Sequence, residues 1–199
     1  MMKTMYCVDP HDTVNTVFLF YEINTVGKLV VKEEYKELSC SVCGKINEME
    51  ALDKGFLQAV SIRSRRPYIL CAEDIQLVDD RARTIFEYIL PGHLKYYSIP
   101  STKYFVAIAV NRVVASESDA GYYMERKCKQ CGRYRVAIWG KSPPTISCNE
   151  PFVSIQLENR LSMFECWLID EDRARAFESV SSQLTGITIT PKSVFEQAI

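Results

Sequence analysis

Apolar and polar residues alternate from "TVFLFYEI" (16–23) through "GKLVVKEEYKELSC", a stretch rich in Val, Ile, Tyr and Phe, which predicts strands. "GFLQAVSI" and "PYILC" predict two further short strands, with the basic residues Arg63, Arg65 and Arg66 between them. The period then changes. In "LVDDRARTIFEYIL", Asp79 stands in a capping position and Ala82, Ile85, Phe86 and Ile89 fall on one helical face, ahead of a stop at Pro91-Gly92. Strand character returns in "KYFVAIAV", "GYYMERKC" and "RYRVAIW", and "GKSPPTISCNEP" reads as a loop. The remaining chain reads strand, helix, strand: "LSMFECWLI", Asp170 as cap, a helix through "EDRARAFESVSSQL" closed by Gly186, and "ITIT".

Together these elements predict an α+β fold, mostly antiparallel strands with two or three helices. No linker or compositional break divides the chain, so residues 1–199 are read as one interwoven domain with a C-terminal strand-helix-strand unit at 162–191. A short repeat is present: Asp80-Arg81-Ala82-Arg83 recurs as Asp172-Arg173-Ala174-Arg175. Shared helix-start chemistry explains it, since acids suit the positive end of a helix and the arginines fill a solvated face.

Composition narrows the class. A 47% hydrophobic content is ordinary for a chain with a buried core, and a net charge of -1 provides no global field to attract nucleic acid or an anionic membrane. No apolar run approaches the roughly 20 residues of a membrane helix, and "MMKTMYCVDPHDTVN" lacks the features of a secretory signal. A reducing cytoplasm is the expected setting. There the eight cysteines are read as thiols rather than four disulfides. Cys71 and Cys166 lie in apolar strand-like runs and read as small buried hydrophobes, while Cys7 and Cys148 stand alone.

The other four cysteines form two matching units, "CSVCG" (40–44) and "CKQCG" (128–132). Two residues between paired cysteines allow one tight turn to aim both sulfurs at a single point, so each unit supplies half of a tetrahedral site. The following glycine suits a positive φ that turns backbone N–H groups toward the thiolates. Cys40, Cys43, Cys128 and Cys131 are thus the candidate ligands of one structural Zn²⁺, in a zinc-ribbon-like subdomain built from about 35–46 and 121–139. A compact ribbon has roughly 15 to 20 residues between its pairs. Here 84 intervene (128 − 43 − 1), so the strands and helix between them must fold beside the site as an insertion.

Two other readings remain open, redox or unliganded thiols and a catalytic metal. A thioredoxin-like pair needs a helix directly after the cysteines, which "GKINEMEALDK" can supply and "GRYRVAIW" cannot. His11 and His93 sit in turn-like contexts and read as solvated, and Trp139 and Trp167 read as core. Phosphate loops, H-E-x-x-H and G-x-S-x-G are absent from the sequence, and no enzyme activity is expected.

The two cysteine units and the ending "LIDEDRARAFESVSSQLTGITITP" (168–191) resemble the bacterial double-CxxCG motif proteins, related to the immunity families found beside polymorphic toxins. The middle "LVDDRARTIFEYILPGHLKYYSIP" resembles a related unit of the same superfamily, so the resemblance covers most of residues 35–191. It implies a cytoplasmic protein that neutralises a cognate toxin on a zinc-held scaffold. Toxins that act on nucleic acid present basic clefts, so the carboxylates Glu48, Glu50, Asp53, Glu117 and Asp119 are candidate partner contacts. The alternative is a zinc-ribbon nucleic-acid-binding or regulatory protein, for which "SIRSRRP" and "ERKCKQCGRYR" supply local positive charge near Tyr122, Tyr123 and Tyr134.

Overall fold

The computed structural model describes residues 2–10, 13–14, 17–55, 60–73, 75–115, 122–139, 145–146, 150–157, 165–185 and 187–196. Its fold is α+β with mostly antiparallel strands. Along the chain run β1 (Met2–Pro10), β2 (Thr13–Val14), β3 (Tyr21–Ile23), β4 (Leu29–Val31), a 3-10 helix (Glu33–Leu38), α1 (Glu48–Lys54), β5 (Tyr68–Cys71), β6 (Gln76–Asp79) and α2 (Asp80–Ile89). There follow β7 (Leu94–Ser98), β8 (Tyr104–Ala109), β9 (Arg112–Ala115), β10 (Tyr122–Lys127), β11 (Tyr134–Trp139), β12 (Thr145–Ile146), β13 (Phe152–Leu157), β14 (Glu165–Ile169), α3 (Glu171–Ser179) and β15 (Ile187–Glu196).

Two larger sheets carry the architecture. One has the order β2-β5-β6-β8-β7, the other β12-β15-β1-β14-β13-β9, and β3-β4 and β10-β11 are separate hairpins. The inner strands β5, β6 and β8 of the five-stranded sheet are buried on both faces, which is why "YILC" and "YFVAIA" read as continuous apolar runs. Ile69, Cys71, Leu77, Val106 and Ile108 face a core closed by Leu19, Phe20, Tyr35, Ile46 and Leu52. Their neighbours Tyr68, Val78 and Ala107 face a second core shared with Val8, Phe152, Trp167 and Ile169 of the six-stranded sheet and with both longer helices. At its centre the Phe86 ring meets Tyr68 at 5.2 Å, Phe177 at 5.2 Å and Trp167 at 6.0 Å, in edge-to-face geometry.

Both expected helices form where the caps predict. Asp79 Oδ1 accepts from the Ala82 N–H at 3.0 Å, and Asp170 Oδ1 accepts from the Arg173 N–H at 3.0 Å. The equivalence extends past the caps. The Asp79 N–H donates to the Pro67 carbonyl at 2.8 Å, as the Asp170 N–H does to Pro151 at 3.0 Å. In each case an antiparallel pair, β5-β6 or β13-β14, leads into the helix and a further strand, β7 or β15, follows it.

The strand completing each unit lies antiparallel between its neighbours, and here the halves differ: β8 follows β7 directly, whereas β1 arrives from the N-terminus. Phe105 opposite Val78 and Tyr6 opposite Ile169 occupy matching positions against the same core. The caps are 91 residues apart (170 − 79), while the Asp-Arg-Ala-Arg repeat is spaced by 92 (172 − 80). That repeat is therefore one residue out of step with the structural equivalence, and the caps are the true landmarks.

Four expected strand or helix limits shift, each for a local reason. Residues 17–20 do not join a ladder, because a carboxylate, Glu73, accepts the N–H groups of Leu19, Phe20 and Tyr21 at 2.7, 2.8 and 3.0 Å. Residues 33–38 form a 3-10 helix rather than strand: Glu33 and Glu34 sit at its positive end, and Tyr35 and Leu38, three apart, share one side. Of the expected strand at 55–62, residues 56–59 lie outside the described residues and 60–62 are irregular, as is the basic segment that follows, where the Tyr104 hydroxyl lies 3.1 and 2.6 Å from the Ser64 and Arg66 carbonyls as their donor. The C-terminal helix stops at Ser179 and unwinds through turns closed by Val180 N–H to Phe177 O (3.2 Å) and Gln183 N–H to Val180 O (2.8 Å), in a Ser-rich segment of low helix propensity. Gly186 and most of the expected loop at 140–151 lie outside the described residues, and Thr145–Ile146, inside that loop, pairs parallel with β15.

Candidate metal centre

The two cysteine units are superimposable in their hydrogen bonding. In the first, the Cys40 N–H donates to Lys45 O at 2.8 Å and the Gly44 N–H to Cys40 O at 2.8 Å. In the second, the Cys128 N–H donates to Arg133 O at 2.8 Å and the Gly132 N–H to Cys128 O at 2.9 Å. Both glycines take the positive φ that the turn requires, +68° for Gly44 and +71° for Gly132, and a Cβ would meet nothing at either position. Ser39 pairs with Ile46 at the base of one turn, just as Lys127 pairs with Tyr134 at the base of the other. Ile46 is fully buried in the core under the five-stranded sheet, which fixes the first turn to the body of the protein.

The tertiary structure brings the two turns face to face. Cys40 Sγ lies 3.8 Å from Cys128 Sγ, Cys43 Sγ lies 3.7 Å from Cys131 Sγ, and all four sulfurs fall within 4.8 Å of one another. Zn–S bonds of about 2.3 Å place sulfurs about 3.8 Å apart at the corners of a tetrahedron. The two contacts between the turns have that dimension, and no pair of the four exceeds 4.8 Å. Two side-chain links hold the turns in register: Ser41 Oγ donates to Gln130 Oε1 at 2.8 Å, and Arg133 Nη1 donates to Ile46 O at 2.7 Å. The four cysteines are thus positioned to hold a metal ion, and an all-thiolate set is the donor chemistry that selects zinc or an iron–sulfur centre over hard cations.

The sulfurs are electrostatically unequal. Hydrogen bonds from the backbone N–H groups of Cys43 and Val42 lower the Cys40 thiol. Burial pushes Cys131 up, but the Arg133 N–H and the neighbouring thiols outweigh it and bring it down to about 6. Burial also raises Cys43, to about 12, despite the Lys45 N–H. Close thiols that release protons in turn behave this way, and a divalent cation in their midst removes the remaining protons.

α1 does not serve the thiols. Its cap is Asn47, whose Oδ1 accepts from the Glu50 N–H at 3.4 Å, so the positive helix end lies past the turn and not at Cys40 or Cys43. That geometry removes the thioredoxin-like arrangement. His93 is half-buried and its ring packs 5.2 Å from Phe152, rather than standing in solvent as expected. Trp167 is fully buried, as is Cys71. Cys148 and His11 lie outside the described residues, as do Glu117 and Asp119.

Among the candidate partner contacts, Glu48 is a correction: it is only 7% exposed, because it starts α1 on the side that faces the protein. Glu50 and Asp53 are exposed. Asp53 accepts from the Tyr97 hydroxyl at 3.1 Å and lies 3.9 Å from Lys95 Nζ. Arg133, part of the basic segment "ERKCKQCGRYR" in the sequence, serves here as one of the two side-chain ties between the turns, with Ser41–Gln130 as the other. Its place directly after the second glycine is the local signal for that role.

No protein-family model matches the chain, and no curated protein matches it. Among the described residues no helix is long and apolar enough to cross a membrane.

Proposed function

We propose that the protein is a zinc-stabilised binding protein of the cytoplasm, an immunity protein that neutralises a cognate bacterial toxin. The observation that carries the zinc reading is the set of four cysteine sulfurs within 4.8 Å of one another, contributed equally by segments 84 residues apart (128 − 43 − 1). Four protein thiolates leave no open position for substrate, which favours a structural ion over a catalytic one. The toxin reading rests on the resemblance of "CSVCG", "CKQCG" and the C-terminal unit to double-CxxCG proteins. Glu50 and Asp53, exposed on α1 beside the first turn, give an acidic surface suited to a basic toxin cleft.

The test is co-expression with the toxin encoded next to this gene. Growth is restored by the wild-type protein and by zinc-retaining surface variants outside the interface. Loss of toxicity relief with the protein folded and zinc-loaded overturns the immunity reading while leaving the metal reading intact. A second reading is favoured by one observation, the exposed Arg126, Lys127 and Lys129 flanking Cys128: a nucleic-acid-binding zinc module. It requires binding to single- or double-stranded nucleic acid that weakens steeply as salt rises.

A further inference from the structure

The two sheets bring together another pair of thiols, one that plays no part in the metal centre. Cys7 on β1 and Cys166 on β14 are 159 positions apart, yet their sulfurs lie 3.3 Å from each other. Val8 opposes Trp167 in this strand pair, so Cys7 and Cys166 sit diagonally on the reverse face, among the buried side chains of Met5, Val153, Ile155 and Leu168. Diagonal neighbours in an antiparallel pair stand further apart than opposed ones, roughly 7–8 Å, yet here both side chains turn inward and bring the sulfurs into contact, so closing a bond draws the two strands together at this point. The sulfurs need to approach by little more than 1 Å to reach a bond of about 2.05 Å. Neither thiol belongs to the metal-holding group.

We propose that Cys7 and Cys166 form a redox-dependent disulfide that locks the N-terminal strand into the C-terminal half. The reaction is thiol–disulfide exchange with a low-molecular-weight disulfide such as oxidised glutathione. Cys166, the more accessible of the two at 8% against 3%, attacks one sulfur as thiolate, the glutathione S–S bond breaks, and one glutathione leaves as thiol. Cys7 then attacks the Cys166 sulfur and expels the second glutathione. Two protein thiols are oxidised, one small disulfide is reduced, and the two protons leave on the glutathione thiols. The neighbouring Cys166 thiol and burial hold Cys7 well above the ordinary thiol range, so the reduced pair is stable until the strand pair breathes or the oxidant persists.

The strand concerned gives the bond its consequence. β1 is the inner strand of the C-terminal half, yet it is joined to that half through nearly the whole chain, and a bond across it removes a large loop-closure entropy from the unfolded state. The inference is independent of the toxin reading. Full-length zinc-loaded protein is incubated with oxidised glutathione at mildly alkaline pH, alkylated, digested without reduction and examined by mass spectrometry. The expected product is a peptide pair joined through Cys7 and Cys166, with two thiols lost, zinc retained, and a melting temperature raised by on the order of 5–10 °C until a dithiol is added. Cys166→Ala and Cys7→Ala each abolish the linked peptide, and Cys71→Ala, as control, does not. Recovery of Cys7 and Cys166 as separately alkylated peptides overturns the proposal, as does a linkage that appears only when zinc is released.

Discussion

Arg133 donates from its guanidinium to the main-chain carbonyl of Ile46 at 2.7 Å, so a residue of the second cysteine turn closes the hydrogen bonding of the first. The two turns are one unit in space although 84 residues of chain separate them (128 − 43 − 1). A residue that orients ligands without touching the metal typically alters affinity by about 10- to 100-fold. Arg133→Ala is therefore expected to keep one zinc per chain in excess metal but to lose it to a chelator at roughly tenfold lower concentration. Competition titration against a coloured chelator measures this.

Removal of a ligand has a larger effect. Purified protein is expected to contain about one zinc per chain, and Cys40→Ser or Cys128→Ser to release it, with a fall in melting temperature of roughly 10 °C or more, because metal binding free energy is also folding free energy. Elemental analysis and thermal melts with and without chelator give both readouts. Freshly reduced wild-type protein devoid of zinc and iron would refute the assignment.

In the metal-free protein the Cys131 thiol, brought down to about 6, is expected to be ionised at neutral pH. A thiol whose pKa is depressed by folding adds stability above its ordinary value, and that contribution disappears as the pH falls through the lowered one. Ultraviolet thiolate absorbance of the apoprotein should thus show a step near pH 6 that is absent from Cys131→Ser.

Glu73 tests how residues 17–21 are held. Its two oxygens accept three main-chain N–H groups, and Lys32 Nζ donates to the adjacent Leu19 carbonyl at 2.8 Å. Glu73→Gln places an amide donor against one of these N–H groups, most simply that of Leu19. The expected cost is about 1–3 kcal/mol, measured by urea unfolding, with faster hydrogen exchange confined at first to residues 17–21.

The strand contribution of β1 is likewise measurable. Val8 is fully buried against the core containing Trp167, and Val8→Ala is expected to destabilise the protein by about 2 kcal/mol. Exchange protection should fall in β14 and β15 before it falls in β5 and β6, since β1 pairs with the former.

Much of this fold was legible in the sequence because the information is local. Asp79 and Asp170 cap their helices through N–H groups three residues ahead, and the glycines after each cysteine pair mark a turn that needs positive φ. Such features depend on a handful of adjacent residues, and the spacing alone discloses them. The identity of the four thiols as a candidate ligand set was equally visible, because a turn geometry recurs wherever its residues recur.

Their convergence was decided by tertiary structure. So was the fate of segments whose backbone found partners far away: residues 17–20, apolar and strand-like, were claimed by the Glu73 carboxylate, and the carbonyls of Ser64 and Arg66 by the Tyr104 hydroxyl. β1 carries no strong local signature, yet it fills the place in the C-terminal sheet that β8 fills in the other. Cys7 and Cys166, 159 residues apart, meet for the same reason. Hydrogen bonds and side-chain contacts between distant residues depend on which strands become neighbours, and that choice is made by the burial of whole sheet faces, a property no short window of sequence contains.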